Sequence, residues 1–314
     1  MNMDFIENGG VTSPLGFQAA GVCAGLKRSH APDMAMIWSE APCSFSGTFT
    51  SNLFPAAPVQ LCRERVLKQK KVQAVVINSG VANACTGIEG YSNAEKMAAL
   101  TARELKIDPG MVMVSSTGRI GNQLPMDIIE KGIVLAAKSL RPDGGAEAAN
   151  AIMTTDTKPK EIALSFSAGD RKVTIGGMCK GAGMIAPKMK VPHATMLCYI
   201  TTDCAISNEL LGSMLGEVVD DSFNKVIVDG DMSTNDTVIV MANGASGVEI
   251  RENSPDALHF KVALTMVAQH LARAIAMDGE GATKFVSVEV TGAANAAEAE
   301  MCARTVANSL LCKT

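Results

Sequence analysis

Thr195 stands directly after a small residue, Ala194, and directly before an apolar, β-prone run, Met196-Leu197-Cys198-Tyr199-Ile200. A Gly-rich segment, Lys180-Gly181-Ala182-Gly183, lies upstream of it. A self-cleaving hydrolase or transferase precursor needs this combination. The small residue lets the backbone bend sharply at a scissile bond, and the strand that follows holds the hydroxyl rigidly as a nucleophile. Alone, the pattern has a plainer account, because threonine at the head of a strand is a good β-former.

Four loops gather small polar residues where strands should stop: Asn78–Gly87, Ser115–Gly121, Asp229–Asp236 and Asp278–Lys284. Rigidly held loops at sheet ends are where binding and catalytic groups collect. Any single one of them is also explained by turn chemistry. Nucleotide-binding fingerprints are missing: there is no Gly-x-x-x-x-Gly-Lys-Ser/Thr and no Gly-x-Gly-x-x-Gly between strand and helix. A Gly-x-Ser-x-Gly elbow is missing too.

The elements that must position these loops follow from periodicity. Short strands and turns are expected over 9–25, and a strand over Asp33–Trp38 that turns at Pro42, Ser44, Ser46 and Gly47. The runs Gln73–Asn78, Met111–Val114, Val226–Val228 and Thr237–Met241 predict strands buried on both faces. Val286, Val288 and Val290 alternate with polar residues and predict a half-buried antiparallel strand. Helices are predicted over Ala57–Leu67, over Met126–Leu140, up to Met153, and from Ser207 or Asn208. Further helices are predicted from an Asn93 cap to Leu105, over Asp256–Ala276 with Leu258, Val262 and Ile275 as apolar markers, and from Asn295.

At 314 residues the chain exceeds a typical domain of ~100–200, so two lobes or one large layered unit are expected. With 47% hydrophobic and 19% charged residues it can fill a core. The net charge is −4, and the only basic cluster is Lys68-Gln69-Lys70-Lys71, which argues against nucleic-acid binding. Nine scattered cysteines without a Cys-x-x-Cys pair read as small hydrophobes in a reducing compartment. His30, His193, His259 and His270 have no metal-ligand spacing, so no metal is expected. The polar, acidic N-terminus lacks a signal-peptide core, and no apolar run would span a bilayer. A cytoplasmic protein is the expectation.

Together the segments resemble one family, the ornithine acetyltransferases of arginine biosynthesis, or bifunctional glutamate N-acetyltransferases. The resemblance rests on Gly9-Gly10-Val11-Thr12 with Gly16-Phe17, NSGVANACTG at 78–87, SSTGRIG at 115–121 and Met153-Thr154-Thr155-Asp156-Thr157. It continues through KGAGMIAP and ATML between 180 and 197, DGDMSTNDT at 229–237 and DGEGATKF at 278–285. These words come in the family's order and span nearly the whole chain.

The resemblance implies a mixed α/β (α+β) fold with helices layered over β-sheets, of the self-processing N-terminal-threonine nucleophile type. It implies cleavage between Ala194 and Thr195 into chains 1–194 and 195–314, which stay associated and share a core, in a homo-oligomer of such heterodimers. It also implies ping-pong transfer of acetyl from N2-acetyl-L-ornithine to L-glutamate through an acetyl ester on Thr195, with no cofactor. Some members take acetyl-CoA as a donor as well. By the same match, Thr117 and Gly118 would stabilise the oxyanion, and Lys180 and Glu280 would bind substrate. Thr154 or Thr155 completes that set, and the sequence does not decide between them.

The sequence departs from the family pattern in two ways. Lys190-Val191-Pro192-His193 is inserted before Ala194, which lengthens the loop at the scissile bond. The chain also stops at Thr314, short of the family's last segment. Two rival readings therefore remain: a related self-processing amidase or peptidase, in which water replaces glutamate, and an inactive truncated scaffold.

Overall fold

In the computed structural model, which describes residues 3–187 and 196–314, the apolar runs at 73–78 and 237–241 become interior strands of one mixed sheet, and the run at 111–114 becomes a strand at its edge. β4 (Val72–Val81) and β5 (Val112–Arg119) run parallel, and their β-branched cores are buried on both faces. β4 lies antiparallel to the first half of β3 (Met34–Phe49), which also pairs with β2 (Phe17–Val22). The second half of β3 pairs with β10 (Thr237–Ala242), and apart from this sheet β9 (Ala205–Ile206) pairs with β11 (Glu249–Ile250). β10 runs parallel to β8 (Leu197–Thr202), and β8 lies antiparallel to β7 (Arg171–Lys180). β7 then pairs with β6 (Lys160–Ala168), and β6 with β1 (Met3–Ile6) at the edge.

β3 therefore joins the two halves of the sheet. The expected turn at Pro42–Gly47 is instead a register shift between Trp38 and Cys43, after which the strand continues. The ladder with β10 holds Ser44 and Ser46 in extended backbone despite their turn propensity.

Two apolar clusters cover this sheet. The first packs Ile37, Val75, Ile77 and Met113 with Met97 of α2 (Gly87–Leu105) and Ile133 of α3 (Met126–Lys138). α1 (Ala57–Lys68) packs beside α2, while α4 (Gly145–Ile152) lies against β2 and β3 on the other face. The second cluster packs Leu164, Ile175 and Ile200 with Leu215 of α5 (Asn208–Asp220) and Phe260, Leu264, Val267 and Leu271 of α6 (Pro255–Met277). Each such side chain contributes ~1.5–3 kcal/mol on burial. Leu197, Tyr199, Ile239 and Met241 enter the first cluster, so residues on both sides of position 194 build the same core. This is the mixed α/β architecture, helices layered over sheet, that the family words imply.

Several elements differ from expectation. α2 begins at Gly87, and Asn93 is buried inside it rather than capping it. On α6 Leu258 and Val262 face outward, because Phe260, Leu264 and Val267 define the core stripe. Val226–Val228 forms no strand; its last backbone N–H donates to the Ile185 carbonyl, in a loop beside the cleft described below. Val286, Val288 and Val290 find no ladder partner among the described residues. The β6–β7 hairpin lies in a segment whose sequence prompted no assignment. α7 (Ala296–Asn308), capped by Asn295, buries none of its residues. Among the described residues, no helix is long and apolar enough to cross a membrane.

Candidate functional site

Strand ends and loops converge on a cleft of ≈ 600 Å³. Its lining includes Thr117, Gly118, Thr154, Thr155, Lys180 and Glu280, which are all the candidate residues the structure describes. Ala194 and Thr195, the expected scissile pair, and the inserted Lys190–His193 lie outside the described residues. Met196 and Leu197, which follow Thr195 in sequence, line the cleft.

One wall is the paired C-terminal ends of β4 and β5. Gly80 and Gly118 sit side by side in register, with φ of +117° and +126°. A Cβ on Gly118 would lie 2.4 Å from the Gly80 carbonyl carbon, so both the dihedral and the space demand glycine. Neutral side chains sew this wall together. The Ser116 hydroxyl donates to Asn78 Oδ1 at 2.6 Å, and Asn78 Nδ2 donates to the Val81 carbonyl at 2.8 Å. From the 229–236 loop, Asn235 Nδ2 donates to the carbonyls of Ala82 at 2.5 Å and Ser116 at 2.8 Å.

The facing side is built on charge. Lys180, the last residue of β7, is 8% exposed, and its Nζ reaches Thr117 Oγ1 at 3.4 Å across the cleft. Asp156 Oδ1 accepts from the next backbone N–H, that of Gly181, at 2.7 Å and from Lys160 Nζ at 2.7 Å. Asp156 Oδ2 accepts from the Thr154 N–H at 3.0 Å. Lys160 Nζ also reaches Asp278 Oδ2 at 2.6 Å and the Lys158 carbonyl at 3.4 Å, so each of its three protons has an acceptor. Asp278 accepts in turn from the Thr157 N–H at 3.0 Å and from the Thr157 hydroxyl.

Two residues past Asp278, the Glu280 N–H donates to the Ala182 carbonyl at 2.9 Å. The Glu280 carboxylate lies against Gly183, where a Cβ would come within 2.4 Å of Oε1. Asp229 holds the same turn through the N–H groups of Met184 and Ile185.

This burial tunes the charges. Desolvation pushes the Lys180 ammonium below the ordinary lysine range; nearby Asp156 resists that shift and Lys160 adds to it. Burial alone would raise the Asp156 carboxyl, but Lys180, Lys160 and the hydrogen bonds outweigh it and hold the carboxyl below the usual range. Burial would lower Lys160, yet the Asp156 charge and the hydrogen bonds to Asp156 and Asp278 hold it above.

The structure thus brings Thr117, Gly118, Lys180 and Glu280 together, with both Thr154 and Thr155 at the rim. The Thr154 backbone is fastened to Asp156, whereas Thr155 is exposed. Residues Cys85–Gly87 of the 78–87 word turn away, toward a separate depression beside Phe54 and Tyr91. Sequence reasoning missed Lys27, a half-buried lysine lining the cleft, which burial also pushes down. Its loop hangs on Asp33, whose carboxylate accepts from the N–H groups of Ala24, Gly25, Leu26 and Lys27. The only signal was one buried aspartate among small residues, which is no distinctive word. Among the described residues, no cluster of three or more His, Cys, Asp or Glu could hold a metal ion.

A family model described as "ArgJ family" matches residues 18–314. The arginine biosynthesis bifunctional protein ArgJ of Symbiobacterium thermophilum is 50% identical over 308 residues, 97% of this chain and 75% of that relative. Among solved structures, the ornithine acetyltransferase of Mycobacterium tuberculosis complexed with ornithine is similar. It shows 41% identity and a TM-score of 0.56, covering 60% of this chain and 100% of that one. The l-aminopeptidase d-Ala-esterase/amidase of Ochrobactrum anthropi, described as a variant of the Ntn hydrolase fold, shares architecture at a TM-score of 0.50. It is 13% identical and so speaks to fold alone.

Proposed function

The chain belongs to the ArgJ family, and from that premise we propose that it is a glutamate N-acetyltransferase of arginine biosynthesis that activates itself by cleavage before Thr195. In the processing step, Thr195 Oγ attacks the Ala194 carbonyl carbon and the peptide N–C bond breaks, leaving an ester. That break already frees the Thr195 amine, and water then hydrolyses the ester to the Ala194 carboxylate and the Thr195 hydroxyl. An α-amino group with a pKa of ~8 is partly neutral near pH 7 and takes the proton from its own hydroxyl.

The freed hydroxyl attacks the acetyl carbonyl of N2-acetyl-L-ornithine. Ornithine leaves with the proton, and an acetyl ester stays on Thr195. The glutamate amine then attacks the ester, and N-acetylglutamate departs. Acetyl-CoA, as a second donor, would enter at the same ester. Thr117 and Gly118 serve the oxyanion; donors of this kind are worth ~3 kcal/mol of barrier each. Lys180 and Glu280 hold the charged ends of substrates, with Thr154 or Thr155 at the rim.

One observation carries the reading: Lys180 reaches Thr117 across a single cleft that also holds Gly118 and Glu280, with Met196 in its wall. Cleavage would not disperse this site. β8 lies between β7 and β10 in the sheet, so segments 1–194 and 195–314 remain hydrogen-bonded together. These two-chain units would form the homo-oligomer. All nine cysteines are free, which suits a reducing, cytoplasmic setting.

The test is intact-mass measurement of the purified protein beside Thr195→Ala, with acetyl transfer assayed on both. Wild type should give two chains, the second starting at Thr195, and should convert glutamate to N-acetylglutamate with N2-acetylornithine as donor. Thr195→Ala should give one uncut mass and no transfer. A single uncut wild-type mass, or hydrolysis of the donor without transfer to glutamate, overturns the proposal.

A further inference from the structure

Lys160 is almost completely buried, and the acetyl-transfer chemistry assigns it no task. Asp156 and Asp278, which flank its ammonium, lie 3% exposed or less in their side chains and are not needed to touch substrate. A buried ionic triad of this kind is weak evidence for stability, since apolar residues of similar volume often serve a core as well. Its connections are more informative. Every acceptor and donor in it is matched to a group in one of three cleft loops.

Asp156 holds the Thr154 N–H of the first loop and the Gly181 N–H directly after Lys180. Asp278 holds both the backbone N–H and the hydroxyl of Thr157, and it leads into Glu280. Glu280 then closes the circuit through its N–H to Ala182, one residue past Gly181. We propose that Asp156, Lys160 and Asp278 are positioning residues that fix the spacing between the cationic and anionic ends of the substrate cleft, Asp156 acting through Lys180 and Asp278 through Glu280. This rests on the acetyltransferase reading of the cleft.

The two arms of this relay have different signatures. The charged and titratable groups acting on Lys180 include Asp156, Lys160, Asp236 and its neighbour Cys179, and Lys27 and Glu280 line the same cleft. Asp156 is the first of these that favours the ammonium form. Removing its charge while keeping its shape makes Lys180 easier to deprotonate, so any pH limb that Lys180 governs moves to lower pH. The Asp278 arm bears on Glu280 by position alone, so loosening it alters substrate affinity without moving that limb.

The experiment measures acetyl transfer from N2-acetylornithine to glutamate across pH for the self-processed enzyme, Asp156→Asn and Thr157→Val. Asp156→Asn should lower kcat about tenfold and displace the Lys180 limb to lower pH. Thr157→Val removes only the hydroxyl that ties an exposed loop to Asp278. It should raise KM for the acetyl donor about fivefold, lower kcat less than twofold and leave the limb in place. A limb unmoved in folded Asp156→Asn, or a wild-type KM in Thr157→Val, overturns the relay. If Asp156→Asn does not fold, the exposed Thr157 variant decides the matter. Wild type that transfers no acetyl at any pH overturns the acetyltransferase reading, and the relay with it.

Discussion

The two walls of the cleft solve the same problem with opposite chemistry. The β4–β5 wall orders backbone around Gly80 and Gly118 using uncharged partners, Asn78, Ser116 and Asn235. The Lys180 wall orders its loops using a buried lysine between two carboxylates. The jobs proposed for each wall would account for the difference. Backbone donors aimed at an oxyanion must hold their geometry at every pH, which neutral hydrogen bonds do. A charge that meets a charged substrate needs counter-charges to set its ionisation, and buried ions supply them.

The comparison is broken most severely by Lys160→Met. Removing the ammonium leaves Asp156 and Asp278 buried opposite each other without their cation. Loss of one member of a buried ionic set typically costs ~3–5 kcal/mol. Urea unfolding at neutral pH should show a loss of that size, and one below ~1 kcal/mol would mean that water already compensates the carboxylates.

Gly118→Ala tests the neutral wall next. The added methyl must displace the Gly80 carbonyl carbon from 2.4 Å, at a φ of +126° that alanine resists. Misplacing one oxyanion donor should lower kcat by ~10²–10³-fold. The pH profile should keep its shape, because no charge is altered. A profile displaced along the pH axis would mean that the two walls are not separate devices.

How much of this was legible depended on how local the cause was. The glycine wall could be read because Asn78-Ser79-Gly80 and Ser116-Thr117-Gly118 end apolar runs, where turn chemistry and function coincide. The period predicts α6 to within a residue at each end, but of its apolar markers Ile275 is buried whereas Leu258 and Val262 face outward, because only packing selects Phe260, Leu264 and Val267 as the inner side. Two alternating segments make the point most clearly. Ile162, Leu164 and Phe166 alternate with smaller residues and form β6 because β7 pairs with it. Val286, Val288 and Val290 alternate as cleanly and make no ladder among the described residues. Alternation states only that a strand would be amphipathic; its partner is a tertiary fact. The ionic triad was illegible for the same reason, since Lys160 and Asp278 are far apart in sequence and neither belongs to a word that demands the other.

The smallest expected effect is also the most selective between the walls. Asp156 and Asp278 have carboxyl pKa values held below the usual range in the folded protein. The unfolded chain therefore binds more protons than the folded one once pH falls into the range around pH 4 where free carboxyls titrate. Their stabilisation is complete above that range and drains away as pH falls through the lower, folded values. Each pKa unit of depression corresponds to ~1.4 kcal/mol. The neutral wall adds no slope there, because amides and hydroxyls do not titrate. Unfolding free energies measured from pH 6 downward should therefore fall more steeply for wild type than for Asp156→Asn, with the two curves converging toward acid. Parallel curves would mean that Asp156 is ionised no more readily in the fold than outside it, and the contrast between an ionic and a neutral wall would lose its physical basis.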